Sequence, residues 1–190
     1  MNNNRCPFEL NNQFDAYYLF LDSEIIRNKT FCEKIELMNN IINSTCLKIK
    51  VILPIVLKNS ARFYHLNIPS EKAHSLEEFF EIEIAIDKNT SLLSTFDFYI
   101  QDERNLLEGF ISFGYELAIF GCNKSIIPLF DQIIKPYHEI SLKNKKSFIT
   151  DLFSDMNEKE RFITSLEDTF HFKCFDKDSI SPNGSSMRDS

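Results

Sequence analysis

The stretch that decides the fold covers residues 81–100 and reads EIEIAIDKNTSLLSTFDFYI. Isoleucines occupy every second position over 82–86, and apolar or small residues do the same over 92–100. Such alternation is typical of a strand with one buried and one solvated face. Four polar residues, 87–90, separate the two runs. The stretch therefore predicts an antiparallel hairpin over residues 81–100 with one face in water.

Before this hairpin, the sequence predicts a helix and a pair of strands. Thr30 and Glu33 form a capping-box pattern at the start of a helical apolar stripe of Phe31, Ile35, Met38, Ile41 and Ile42. Residues 48–57 have the composition of a strand, and Pro54 within them indicates an edge strand or a bulge, because proline lacks an amide hydrogen. After a turn at 58–60, residues 62–68 are the expected return strand.

After the hairpin, helical and strand patterns alternate. Asp102 is predicted to cap a helix that carries Leu106, Leu107, Phe110 and Ile111 and ends at Gly114. Residues 115–120 predict a short buried strand, and a helix that Ser125 caps follows it to about residue 135.

The last third of the chain continues in the same way. Strands are expected at 137–142 and 170–175, with a helix or a broken helix pair over 145–169 between them. The expected core positions of that helical region are Phe148, Leu152, Phe153, Phe162, Ile163 and Leu166.

These patterns combine into one α+β domain over residues 13–178. We expect a mixed sheet with the antiparallel hairpin 81–100 at its centre, followed by helix–strand units. Residues 1–12 and 179–190 are polar and offer no apolar face, so a disordered lead and a disordered tail are predicted there.

Composition excludes several functional classes. A net charge of −7 argues against a general nucleic-acid binder, which needs a basic face for phosphates. Only four glycines occur, and they are isolated, so no phosphate-binding loop can be assembled from them. Neither the histidines nor the cysteines have metal-ligand spacing. The sequence therefore predicts no metal and no cofactor.

The cellular setting is also indicated. Five cysteines, an odd number without a CxxC pair, predict reduced thiols rather than a disulfide framework. The amino-terminal residues lack a secretory-signal pattern, and the longest apolar run, 51–57, is far too short for a membrane span. We expect a cytoplasmic protein. A bias of 23 Ile against 2 Val points to an AT-rich genome, including that of an intracellular bacterial pathogen.

One alternative is enzymatic. Residues 13–27 fit a helix or a buried strand, with helix the preferred interpretation, and 18–26 (YLFLDSEII) resemble the first motif of haloacid-dehalogenase-like phosphatases. The resemblance implies Asp22 as nucleophile and Glu24 as second acid, with Asn123 or Ser125 binding phosphate. Ile25 and Ile26 replace the family's Gly–Thr, and no later strand ends in an acidic pair for Mg²⁺.

The preferred hypothesis is a protein without catalytic activity that binds another protein. Residues 71–87 contain six acidic residues against one lysine. The alternation places Glu81 and Glu83 together on the solvated face of the predicted hairpin. Glu77, Glu78, Glu81, Glu83 and Asp87 therefore form a candidate binding stripe for a basic partner protein. An adaptor, a secretion-chaperone-like subunit, a virulence effector or an immunity protein would fit this pattern.

Overall fold

Eight strands and four helices occupy the residues that the computed structural model describes, namely 10, 13–20, 26–53, 63–69, 75–86, 89–134 and 155–170. The strands are β1 (Ala16–Phe20), β2 (Cys46–Ile52), β3 (Phe63–Pro69), β4 (Glu83–Ile86), β5 (Asn89–Leu92), β6 (Phe98–Asp102), β7 (Leu107–Ser112) and β8 (Leu117–Cys122). The helices are α1 (Lys29–Ile41), α2 (Ser75–Phe80), α3 (Ile127–Ile134) and α4 (Met156–Thr169).

Six of the described strands belong to the main sheet, in the order β1-β8-β7-β6-β2-β3, while β4 and β5 form a separate two-stranded sheet. The α+β class predicted from the sequence is confirmed. Every strand pair among the described residues is antiparallel, whereas a mixed sheet was expected. Two tight turns explain part of this, namely the antiparallel pairing of β6, β7 and β8, because these strands follow one another as hairpins and leave no room for a helical crossover.

The predicted hairpin exists, but it is shorter and lies outside the main sheet. Its strands are β4 and β5, with Glu83 opposite Leu92 and Ile86 opposite Asn89. A 3₁₀ turn at Leu93–Thr95 interrupts the second alternating run. The Ser94 hydroxyl donates to the Phe80 carbonyl at 3.3 Å and helps to hold this turn. The run over 92–100 is therefore divided between β5 and β6, and the hairpin is not the central element.

The preferred helix over residues 13–27 is wrong at Ala16–Phe20, which form strand β1. Among the described strands, this one pairs only with β8, in an antiparallel register. Tyr18 and Phe20 enter the core on one face of the sheet, and Leu19 enters a second core on the other. Because both faces are buried, the strand has a continuous apolar run that also fits helical spacing.

The predicted helix after Asp102 is also wrong, since strand β7 lies there. All six residues of β7 are buried, so the strand shows no alternation. Asp102 accepts backbone hydrogen bonds as expected of a cap, but from the β6–β7 turn. Its carboxylate accepts from the amides of Arg104, Leu106 and Leu107 at 2.7, 2.6 and 2.5 Å. The prediction that the Asp102 side chain accepts from backbone amides is confirmed. These amides belong to the turn before a strand, however, and not to a helix.

Helix α1 and the β2–β3 pair are confirmed with corrections. The cap of α1 is Asn28, whose side chain accepts from the Phe31 amide at 3.1 Å, in place of the Thr30 and Glu33 box. Ile41, expected in the core, is 54% exposed. Strand β2 ends before Pro54 and is an interior strand between β3 and β6, so it is neither an edge nor a bulged strand.

The strand predicted at 115–120 is confirmed as β8, and a helix follows it as α3. In α4, Phe162 and Leu166 are buried as expected. Other predictions lie outside the described residues: the turn at 58–60, the strand at 137–142, the strand at 170–175 apart from Phe170, which caps the end of α4, and the core positions Phe148, Leu152 and Phe153.

Helices cover the main sheet on both faces. On the first face, α1, α2 and α3 pack against the larger core through Phe31, Phe79 and Phe130. On the second face, α4 covers the half that contains β1, β8 and β7, where Phe162 and Leu166 meet Leu19, Phe110 and Ile119. Beside α4, side chains of β2, β3 and β6 on this second face form a polar surface, while Ile52 and Tyr99 pack against the second core.

Candidate functional site

The acidic surface, defined here as Glu77, Glu78, Glu81 and Glu83, spans the end of α2 and the start of β4. Glu77 and Glu78 lie in α2, Glu81 follows it, and Glu83 begins β4. Glu78, Glu81 and Glu83 are exposed, and Glu77 is half-buried. Asp87, the fifth predicted member, lies outside the described residues. Glu81 belongs to the turn after α2 and not to the hairpin, so the expected strand stripe is a helix–turn–strand surface.

The first face of the main sheet holds α2 in place. The Phe79 ring packs 5.0 Å from the ring of Phe98 in β6, and Leu76, also in α2, is fully buried. A carboxylate oxygen of Glu36 in α1 accepts from the Leu76 amide at 2.7 Å and satisfies a free amide at the start of α2. These contacts fix a short helix that is too brief to be stable alone. The acidic side chains therefore project from a fixed support.

A surface cavity of about 510 Å³ opens beside these acidic residues. Its lining combines an apolar part, Phe80 and Leu92, with the carboxylates of Glu77, Glu78 and Glu81, the hydroxyl of Ser94 and the guanidinium of Arg27. Three carboxylates against one guanidinium leave the lining negative. The sequence identified the acidic residues but not Phe80, Leu92 or Arg27, which the fold brings to them.

Two cations of the described residues, Arg27 and Lys29, lie close to the acidic surface, and both are engaged. The Arg27 guanidinium carbon lies 4.4 Å from the centre of the Phe113 ring, a cation–π geometry. Lys29 Nζ lies 3.6 Å from Oε1 of Glu77. Glu78 and Glu81 are the more exposed carboxylates of the cavity lining, and they are the ones best placed to meet a molecule that approaches from solvent.

The described residues offer little for covalent or metal chemistry. No group of three or more His, Cys, Asp or Glu within them could hold a metal ion. Cys122, the thiol best placed by sequence, is fully buried in β8. Burial raises the pKa of the Cys32 thiol to about 12, with Glu36 and Glu77 adding to the shift. Cys32 therefore remains a neutral thiol at neutral pH, and the thiolate is the nucleophilic form.

The phosphatase alternative requires a central strand that delivers Asp22 to a cleft beside Asn123. Among the described strands, β1 pairs only with β8, and this pair is antiparallel. Asp22 and Glu24 lie outside the described residues. Asn123 Oδ1 accepts from the amide and the hydroxyl of Ser125 at 3.2 and 3.1 Å, so its side chain closes a local turn before α3. The phosphatase alternative therefore stays a prediction.

Comparisons with known proteins give no functional assignment for this chain. No protein-family model, no curated protein and no solved structure matches the chain. Among the described helices, none has the length and hydrophobicity that crossing a membrane requires.

Proposed function

We propose that the protein is a non-catalytic interaction protein that binds a basic segment of a partner protein through the acidic surface. The observation that supports this most directly is the cavity in which Glu77, Glu78 and Glu81 surround the apolar side chains of Phe80 and Leu92. Exposed acidic residues alone are common on solvated surfaces. Acidic residues around an apolar hollow, in contrast, match a ligand that has both a positive charge and an apolar part.

A lysine or arginine side chain has the matching shape and charge. Its aliphatic stem can lie on Phe80 and Leu92, while its cationic head reaches Glu78 and Glu81. The negative field of the surface would also accelerate the approach of a basic segment at low salt. Glu83, exposed next to the cavity, extends the same field along β4.

This binding mode suits an adaptor, a secretion-chaperone-like subunit, an effector or an immunity protein, each of which acts by contact with another protein.

We place the protein in the cytoplasm, where thiols stay reduced. Cys32, Cys46 and Cys122 are free thiols, which is consistent with such a compartment. A count of free thiols by mass spectrometry of the native protein, trapped at lysis, would test this location. Disulfides in that sample would contradict it.

The binding experiment uses a fluorescein-labelled peptide of four Arg-Ala repeats as the probe and fluorescence anisotropy as the measurement. We expect the double substitution Glu78→Gln and Glu81→Gln to weaken binding about tenfold at 50 mM NaCl, which corresponds to about 1.4 kcal/mol. The difference should shrink at 500 mM NaCl because salt screens the field.

The matched control replaces Glu158 and Glu160 of α4, which are also exposed, by glutamine. It removes the same number of charges at a distant surface and should bind the peptide as the wild type does. Equal losses in the two double variants would show that the peptide senses only net charge and would overturn the proposal. Robust Mg²⁺-dependent hydrolysis of phosphate esters that Asp22→Asn abolishes would overturn the non-catalytic assignment.

A further inference from the structure

Six side chains form a regular array on the second face of the main sheet, next to the half that α4 covers. One of them, Tyr99, packs against the second core, with its ring 4.9 Å from that of Phe110. In β2, Leu47, Ile49 and Val51 enter the core, so Lys48 and Lys50 point to the opposite face. The register places His65 and Tyr99 on either side of Lys50, and Asn67 and Gln101 on either side of Lys48. We call these six residues the lysine array: Lys48, Lys50, His65, Asn67, Tyr99 and Gln101.

The array is rich in hydrogen-bond donors and carries positive charge. Both lysines, the imidazole and the two amides can donate. Gln101 Nε2 already donates to Asn105 at 2.9 Å, which leaves its second amide hydrogen for another acceptor. Lys48, His65 and Asn67 are exposed. An acceptor with negative charge is therefore the ligand that this set of side chains complements.

Aromatic rings hold one of the two ammonium groups in place. Lys50 Nζ lies 4.2 Å from the centre of the Phe63 ring and 5.5 Å from that of Tyr99. Both distances are within the range of cation–π attraction. An ammonium group restrained in this way loses less conformational entropy when it binds an anion than a freely rotating lysine does. Lys50 is thus pre-organised for binding.

The array surrounds a hollow of about 170 Å³. Pockets that enclose a whole small molecule usually measure about 300–1,000 Å³, so this one suits a single functional group presented by a larger partner. Glu108, at the end of the row of Asn67, Lys48 and Gln101, also lines the hollow but is fully buried. Two lysines against one carboxylate leave the lining positive, in a chain whose net charge is −7.

We propose that the lysine array binds carboxylate side chains of an acidic segment in a partner protein. The acidic surface lies on the other side of the sheet, because α2 packs against Phe98 on the first face. At physiological salt the Debye length is about 8 Å, so the distant carboxylates are largely screened from a ligand at the array. The protein would then present two binding surfaces of opposite charge, and this second site does not depend on the first.

Single-stranded nucleic acid is the main competing ligand, since it combines phosphates with bases that stack on aromatic rings. Proteins that bind it track the backbone with an extended positive groove. The array offers two lysines in one small hollow and half-buried Tyr99 as its aromatic ring. A short acidic peptide is the better match.

The test measures anisotropy with the full chain and a fluorescein-labelled peptide of four Glu-Ser repeats. Lys48→Gln with Lys50→Gln should weaken binding about tenfold at 50 mM NaCl, the loss expected when the charge contacts of one exposed and one half-buried lysine disappear. Lys50→Arg, which keeps the charge and can still stack, should retain most of the affinity. Binding of the Arg-Ala peptide should not weaken, since the acidic surface is intact.

Lys124→Gln with Arg161→Gln removes two exposed cations elsewhere and is the matched control. An equal loss in this variant would overturn the proposal, because only net charge would then matter. Tighter binding of a ten-residue oligothymidylate than of the peptide, with the same dependence on Lys48 and Lys50, would assign the array to nucleic acid instead. Thermal unfolding of each variant confirms that the compared proteins are folded.

Discussion

The Tyr18 hydroxyl donates a 2.8 Å hydrogen bond to Oδ1 of Asp131 and joins strand β1 to α3 across 113 residues of sequence. The Tyr18 ring is fully buried and packs 4.9 Å from that of Phe130. Burial, together with this bond, raises the pKa of Tyr18 above its ordinary value. The hydroxyl therefore stays protonated and remains a donor across the working pH range.

Tyr18→Phe should lower the free energy of unfolding by about 1–2 kcal/mol, because it removes the donor and leaves Asp131 without this bond. Urea unfolding, monitored by circular dichroism, measures the change. Tyr64→Phe is the matched control, since Tyr64 is 36% exposed on β3. Equal effects of the two substitutions would show that the bond to Asp131 does not stabilise the fold.

Asp102→Ala should be among the most destabilising single substitutions in the described residues, with a loss of about 3 kcal/mol. The buried carboxylate accepts from three amides of the β6–β7 turn, and its removal leaves buried donors unsatisfied. Asp102→Asn keeps one acceptor oxygen and should cost less. Calorimetry on both variants measures the order, and an Asn variant less stable than the Ala variant would contradict this account.

Glu116→Gly should raise stability by about 0.5–1 kcal/mol. Glu116 lies in the β7–β8 turn with a φ of 49°, a left-handed conformation that costs a residue with a Cβ about 1–2 kcal/mol. Glycine also raises the conformational entropy of the unfolded chain, which offsets part of this gain in stability. Glu167→Gly, at an exposed site in α4, should instead lower stability by about 1 kcal/mol. Thermal melts of the two variants that shift in the same direction would contradict the prediction.

Of the three described cysteines, Cys46 should be alkylated first by iodoacetamide at pH 8. It is half-buried, while Cys32 and Cys122 are buried. Burial raises the pKa of Cys32 to about 12, so its thiolate population at pH 8 is very small. Its Sγ also donates to the Ile26 carbonyl at 2.8 Å. Peptide mapping over time measures the order, and early labelling of Cys32 in folded protein would show that its region opens readily.

Stability should fall with rising pH in the window where Asp97 ionises. Burial raises the pKa of Asp97, and the bond that its Oδ1 accepts from the Ser112 hydroxyl at 2.7 Å only partly opposes this. Below the unfolded-state pKa of about 3.9 both states are protonated, and above it the unfolded state releases its proton first. The folded state therefore loses relative stability until the folded pKa is passed.

Asp97→Asn should remove this loss, because the amide does not titrate while its oxygen can still accept from the Ser112 hydroxyl. The measurement is the free energy of unfolding of both proteins between about pH 3 and pH 7, and the wild type should decline relative to the variant as pH rises. A constant difference across this range would show that Asp97 titrates alike in the folded and unfolded states.

Local sequence patterns predicted the type of element correctly where only one face of that element is buried. Helix α1 shows helical spacing because its apolar residues meet a single core, and β2 and β3 alternate because their second face is polar. The same alternation in β2 places Lys48 and Lys50 on one face of the sheet. The residues that surround these lysines come from β3 and β6, and strand pairing decides which of them are neighbours.

The sequence by itself therefore determined the α+β class, α1, the β2–β3 pair and the acidic character of residues 77–83. Only the tertiary structure decided that β1 and β7 are strands, because helices cover both of their faces and erase the period of two. It also brought Phe80, Leu92 and Arg27 to the acidic residues. Contacts between residues distant in sequence arise from tertiary packing, and a local sequence pattern does not indicate them.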